Sequence, residues 1–218
     1  MKKILVFSNG EKIGDGIIKL QLLYEIKLRL PNYKLYWITD TGKTVYSGIL
    51  RKVAMNYIDF FYEEANLSPL FWKQISKKFD FRNEYFDYIL DTQKSVFRTL
   101  AIKRIKHNNF ISGTANGLFS SKKIKPNMKD KKYILSYMFG LLDLIAKRKA
   151  KSNFNLPIDK NLEKTISKIL FNKKKYFGIA PGAGEMEKIW PLENFVNIAK
   201  KFEKKGYKIV FFLGPDEN

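Results

Sequence analysis

Hydrophobic positions in this chain follow two alternating rhythms. Short continuous apolar runs, such as residues 4–7 (Ile-Leu-Val-Phe), have the length and composition of strands covered on both faces. Between the runs the spacing widens to that of a helix: Ile17, Leu20, Leu23 and Leu28 recur near a 3.6-residue period until Pro31 and Asn32 stop the pattern. Continued to residue 112, this reading predicts strands at 4–7, 34–38, 57–62, 85–90 and 109–112. Helices are expected at 17–30, 43–55 and 95–106, and from a Ser68-Pro69 start through Lys78. Strand–helix–strand repeats imply a parallel, doubly wound α/β sheet, because parallel neighbours need a crossover.

Past residue 112 the pattern lapses and then restarts. Residues 113–130, rich in Ser, Lys, Asn and Gly, read as a surface loop, and 132–149 as a helix. Residues 151–160 read as a linker closing a first domain of residues 1–150. In residues 161–218 a strand at 176–180, a helix at 192–205 with Pro191 in its first turn and Gly206 as its stop, and a strand at 207–213 form one βαβ unit. Two strands cannot make an open sheet covered on both faces, so this second Rossmann-like domain is expected to be partial.

Composition narrows the chemistry. The 218 residues are 45% hydrophobic, which supports a packed core, and no apolar run reaches the roughly 20 residues of a membrane span, so a cytoplasmic protein is expected. With no cysteine and a single histidine, His107, thiolate metal sites and histidine triads are excluded, and acid–base work falls to carboxylates. A formal charge of +20 favours phosphates of nucleotides or an anionic membrane surface as partners, although lysine is spread over almost every segment. A nucleic-acid partner is not expected, since no recognition motif accompanies the charge.

In doubly wound folds ligands bind beyond the carboxyl ends of the strands. Three loops there carry candidate chemistry. The first, residues 8–16 (Ser-Asn-Gly-Glu-Lys-Ile-Gly-Asp-Gly), brings Asp15 to a helix start, either as a group facing the crevice or as a helix cap. The second is Asp91-Thr92-Gln93, a carboxylate and an amide able to bind sugar hydroxyls. The third runs from Pro181 to Pro191, where Gly182, Ala183 and Gly184 can expose backbone N–H groups to a pyrophosphate, with Lys188 as a point charge.

The run Gly178-Ile-Ala-Pro-Gly-Ala-Gly-Glu-Met-Glu-Lys-Ile-Trp-Pro-Leu-Glu-Asn-Phe, with Gly206-Tyr-Lys-Ile-Val-Phe-Phe-Leu-Gly-Pro, resembles the nucleotide-domain signature of glycosyltransferase family 9, the lipopolysaccharide heptosyltransferases. Ile13-Gly14-Asp15 and Phe86-Asp-Tyr-Ile-Leu-Asp-Thr-Gln match further family segments in order. The resemblance implies a GT-B architecture and an inverting transfer of a sugar, heptose by family, from an ADP-sugar to a lipopolysaccharide-core or related glycan acceptor. It implies Asp15 as the general base, and Lys12, Gly14, Asp91, Gln93 and Arg98 on the acceptor side. The Gly182, Ala183, Gly184 and Lys188 loop would hold the donor phosphates, with neither a tightly held metal nor another cofactor.

The chain also departs from the family pattern. Its first loop is one residue longer, with Lys12 in place of the basic residue that follows the strand. Lys94 stands where a small residue is usual, and the next basic residue falls at Arg98. Ala180 and Gly184 replace the His and Ser of many members. The family's later Asp-Thr-Gly/His segment would lie beyond Asn218, so the chain is expected to be a fragment of a longer enzyme, inactive by itself. A non-catalytic remnant that binds nucleotide or anionic glycolipid is the alternative.

Overall fold

Ile4, Leu5, Val6 and Phe7 are all fully buried, which requires cover on both faces of their strand. The computed structural model, which describes residues 1–124, 133–146, 154–170, 174–183 and 186–214, supplies it. β1 (Lys2–Phe7), β2 (Tyr33–Ile38), β3 (Phe60–Tyr62), β4 (Phe86–Asp91) and β5 (His107–Ser112) form a parallel sheet in the order β3-β2-β1-β4-β5. In register, Phe7 lies beside Ile38 on one side and Asp91 on the other, so the loops after β1, β2 and β4 emerge together.

One face of the sheet presents Ile4, Val6, Leu35 and Trp37 to α1 (Ile13–Arg29) and to α4 (Ile134–Ile145). The other presents Leu5, Phe7, Tyr36, Ile38 and Phe110 to α3 (Val96–Lys103) and to an irregular segment carrying Ala65, Leu67 and Phe81. Burying each such side chain contributes about 1.5–3 kcal/mol. α1 meets the core through Leu20, Leu23 and Ile26, and its last turn carries Lys27 and Arg29, favoured by the helix dipole.

Two expected helices are absent or reduced. Residues 43–55 form mainly hydrogen-bonded turns, closing in the four-residue α2 (Arg51–Ala54). Residues 69–78 are not helical. Arg104, the C-cap of α3, donates to the carbonyls of Ser68 (2.6 Å) and Lys73 (2.5 Å), while Ser76 Oγ bonds the Ala65 carbonyl. Backbone acceptors that a helix would use internally are thereby committed elsewhere.

By its contacts the chain divides into two units, Met1–Asn155 and Leu156–Asn218. In the second, α5 (Lys160–Ile169) is a helix that the pattern did not predict, started by Asp159, whose carboxylate accepts from the Asn161 N–H at 2.9 Å. Its Leu162, Ile166 and Ile169 are exposed. β6 (Tyr176–Ile179) and β7 (Lys208–Phe211) pair in parallel around α6 (Leu192–Glu203), and Phe177 stacks on Phe202 with ring centroids 3.7 Å apart.

Candidate functional site

The loop after β1 is held by buried polar contacts. Lys19 Nζ, in the second turn of α1, donates to Ser8 Oγ at 2.8 Å and pairs with Glu11 at 3.4 Å; the Glu11 side chain is fully shielded. Glu11 also accepts from Thr44 Oγ1. Asn9 Oδ1 accepts from the backbone of Asp40 (2.9 Å) and Thr41 (2.8 Å), and Tyr46 donates its hydroxyl proton to the Gly16 carbonyl at 2.8 Å. Gly10, at φ +72°, makes the turn that L side chains rarely adopt. Gly16 serves packing instead: a Cβ there would lie 2.5 Å from Val45 Cγ2.

These contacts fix the start of α1, where Lys12 is the N-cap, and Asp15 lies in the first turn, exposed. Asp15 therefore does not cap the helix, and its carboxylate makes no hydrogen bond or ion pair with a described residue. It stands four residues before Lys19, one turn up on the same helical face. Gly14 is exposed with open space where a Cβ would be.

Lys19 also lines a cavity of about 420 Å³, with Thr92, Gln93, Lys94, Ile134, Tyr137 and Met138. The β4 end of this cavity is built by Asp91. One Asp91 oxygen accepts from Thr99 Oγ1 (2.6 Å) and Ser112 Oγ (2.8 Å), the other from the Gln93 N–H (2.9 Å). Thr114 Oγ1 donates to the Gln93 carbonyl, and Thr92 bonds the Phe7 carbonyl. Burial pushes the Asp91 carboxyl up to about 6, while the bonds from Thr99, Gln93 and Ser112 act the other way. Because Asp91 is fully buried and its oxygens are occupied, it joins β4, α3 and β5 and positions Gln93. Of the two residues expected to bind sugar hydroxyls, Gln93 lines the cavity and Asp91 lies buried behind it. Arg98 is turned toward Asp40, at 3.8 Å.

In the second unit the loop after β6 contains Gly182 and Ala183, with Gly184 outside the described residues. The sequence suggested that these glycines open directly onto a helix N-terminus. Instead a 3-10 turn, Met186–Lys188, intervenes, and α6 begins at Leu192 with Pro191 as its N-cap and Glu193 in its first turn. Lys188 is exposed at the end of the turn. Trp190 packs edge-to-face on Phe195 at 5.2 Å, tying the loop to α6. Among the described residues, no three His, Cys, Asp or Glu side chains group as metal ligands would.

The sequence reading missed Lys19, Glu11 and Tyr137. The first carried a legible signal: Gly16, Lys19, Leu20, Leu23 and Ile26 share the buried face of α1, so a lysine occupies a core slot of the helical pattern.

The sequence model of glycosyltransferase family 9 (heptosyltransferase) matches residues 80–218. No curated protein matches the chain significantly. Among solved structures it is similar to the glycosyl transferase family 9 protein from Veillonella parvula, with TM-score 0.62 and 16% identity over 98% of this chain and 63% of that one. It is likewise similar to the E. coli heptosyltransferase WaaC, solved with ADP, with TM-score 0.60 and 17% identity over 99% of this chain and 68% of that one. For the E. coli ADP-heptose lps heptosyltransferase II the TM-score is 0.59 at 16% identity, over 99% of this chain and 65% of that one. At such identities the likeness is one of fold, and the chain spans about two thirds of each relative's length.

Proposed function

The chain belongs to glycosyltransferase family 9 and has the α/β fold of GT-B glycosyltransferases, and from that premise we propose that it forms the acceptor-side domain and part of the donor-side domain of an inverting sugar transferase. The donor is an ADP-sugar, by analogy with the relative solved with ADP and the relative named for ADP-heptose. The acceptor is a glycan hydroxyl, on lipopolysaccharide core or a related glycolipid.

A single observation carries the reading: Asp15 is an exposed carboxylate, without a partner among the described residues, on a rigidly held helix start and on the same face as the cavity-lining Lys19. In this mechanism Asp15 takes the proton of the acceptor hydroxyl as its oxygen attacks the anomeric carbon. The bond to the diphosphate breaks on the opposite side, and the sugar inverts. Gln93 orients acceptor hydroxyls, Lys94 supplies positive charge at the same rim, and Lys12 and Gly14 shape the approach. The loop of Gly182, Ala183, Gly184 and Lys188 takes the developing charge of the leaving ADP. Asp91 contributes by holding Gln93, and Arg98 by its pairing with Asp40.

The test is an ADP-heptose transfer assay on the enzyme carrying this chain, comparing Asp15→Asn with the parent. Loss of about 10²–10⁴-fold in kcat with unchanged ADP affinity is expected. A variant retaining most of its kcat removes Asp15 from the mechanism. Nucleotide binding by the parent without any transfer favours a non-catalytic binding role.

A further inference from the structure

Lys19 is buried where a lysine gains the fold little. It shares the inward face of α1 with Leu20, Leu23 and Ile26, and the polar groups that bind it and its partner, on Ser8, Glu11 and Thr44, belong to buried residues as well. A buried ion pair adds little net stability, because desolvating both charges offsets their attraction, and apolar residues of similar size do as well. Sequence order assigned the basic group near the end of β1 to Lys12. In the fold Lys12 is the exposed N-cap of α1, and it is Lys19 that reaches Ser8, the residue directly after β1.

An ammonium group can donate three hydrogen bonds. Two of those of Lys19 go to Ser8 Oγ at 2.8 Å and Glu11 Oε1 at 3.4 Å, and the third has no acceptor among the described residues. The cavity of about 420 Å³ that Lys19 lines has two unlike walls: Ile134, Met138 and the ring of Tyr137 on one side, Lys19, Thr92 and Gln93 on the other. A sugar ring is divided in the same way, with C–H groups on its faces and oxygens around its edge, and a few placed polar groups against an apolar wall fix such a ligand's orientation. Thr92 spends its hydroxyl proton on the Phe7 carbonyl and is left as an acceptor, so Lys19 supplies a donor that Thr92 cannot. The charge of Lys19 is matched by Glu11, whose other oxygen takes the Thr44 hydroxyl. The pair therefore presents a directed donor with little net field. Lys94 differs: its Nζ lies 5.4 Å over the Tyr137 ring, and it makes no ion pair with a described residue.

We infer that Lys19, held by Ser8 and Glu11, is an acceptor-binding residue whose third N–H donates to a hydroxyl or ring oxygen of the acceptor sugar in this cavity. The identity of that ligand rests on the reading of the chain as part of a sugar transferase. The contact acts in binding, whereas Asp15 acts in the chemical step.

The experiment compares the enzyme carrying this chain with its Glu11→Leu/Lys19→Met variant, which removes donor and counter-charge together, using ADP-heptose and deacylated lipopolysaccharide-core oligosaccharide. The acceptor KM should rise about 10–100-fold, as loss of a hydrogen bond from a charged group does, with kcat within about threefold and ADP affinity unchanged. Because the pair is buried and internally neutral, the ratio of the two KM values should be equal at about 50 and about 500 mM salt. An unchanged acceptor KM overturns the inference, as does a ratio that collapses at high salt, the mark of a long-range charge effect. If Asp15→Asn still abolishes transfer in that case, the transferase reading survives and the role of Lys19 does not. If the parent binds the oligosaccharide without transferring to it, the same loss is expected in calorimetric affinity; a parent that neither binds nor transfers overturns both. Should the double variant fail to fold, the unaltered chain decides. The ¹⁵N resonance of the Lys19 ammonium, assigned by its absence from Lys19→Arg, should move when the oligosaccharide is added, and an unmoved resonance overturns the inference.

Discussion

The Tyr137 hydroxyl fills the space where a side chain at residue 113 would begin. A Cβ built on Gly113 would lie 1.7 Å from it and 2.6 Å from the ring's Cζ. Gly113 follows β5 directly, and Tyr137 forms one wall of the cavity beside Gln93. The glycine thus lets α4 approach the sheet closely enough to close that wall.

Gly113→Ala should push the Tyr137 ring out of place, costing about 1–3 kcal/mol as overpacking does. Shortening the opposing side chain should relieve it, so Gly113→Ala/Tyr137→Ala should be less destabilised than the sum of the two single changes. Urea denaturation of the four proteins measures this coupling. Additive losses would mean that the two residues do not compete for the same space.

Asp91 gives a pH dependence with a definite sign. Its folded-state value, about 6, lies above the ordinary 3.8, so the native state holds the proton more tightly than the unfolded chain. The associated stability is fully present below about pH 4 and is lost as the pH rises through about 6, a difference of roughly 3 kcal/mol. Asp91→Asn cannot ionise and escapes that loss. Relative to the parent, it should therefore gain up to about this much between pH 4 and 7.5, read from denaturation midpoints. A constant gap between the two proteins across that range would refute the assignment.

The sheet was legible because its central strand is a continuous apolar run, and burial of Ile4 to Phe7 on both sides fits a parallel α/β core. The Ser68-Pro69 helix was misread for a reason that lies outside its own sequence. The group that captures its carbonyls is Arg104, distant by 36 residues from Ser68 and 31 from Lys73. The positions of Asp15 and Gln93, just past β1 and β4, were legible as loop residues at the carboxyl ends of strands. Asp91 looked equivalent to Gln93, and only the hydroxyls of Thr99 and Ser112, brought in by α3 and β5, turn it inward. α5 was legible by the same rule, since Leu162, Ile166 and Ile169 recur at helical spacing, but the reading passed over it between the linker and β6.

Lys19 and Glu11 form a pair whose members depend on each other. Lys19→Met should strand a shielded carboxylate and cost about 3–5 kcal/mol, whereas Glu11→Leu/Lys19→Met should recover most of the loss. Thermal and chemical denaturation distinguish the two. If the double variant is as unstable as Lys19→Met, the cost comes from lost packing and the pair has little structural weight.

The placement of Asp15 can be tested without touching its carboxylate. Gly16 follows it directly, and a Cβ at Gly16 would lie 2.5 Å from Val45 Cγ2 and 2.9 Å from Leu50 Cδ1. Gly16→Ala should consequently move the first turn of α1 away from the 44–50 turns, carrying Asp15 with it. A shift on the order of 1 Å can cost about 10²-fold in rate when a reacting group must be aligned. In the enzyme carrying this chain, Gly16→Ala is expected to lower kcat steeply while ADP affinity stays constant, since the loop proposed to hold the donor phosphates lies in the other unit. Val45→Ala opens space at the closest contact, so Gly16→Ala/Val45→Ala should regain a measurable part of the lost kcat. Rescue of turnover, with circular dichroism equal for both variants, separates alignment from unfolding. Full activity in Gly16→Ala alone would mean that the reaction does not depend on where this turn holds Asp15.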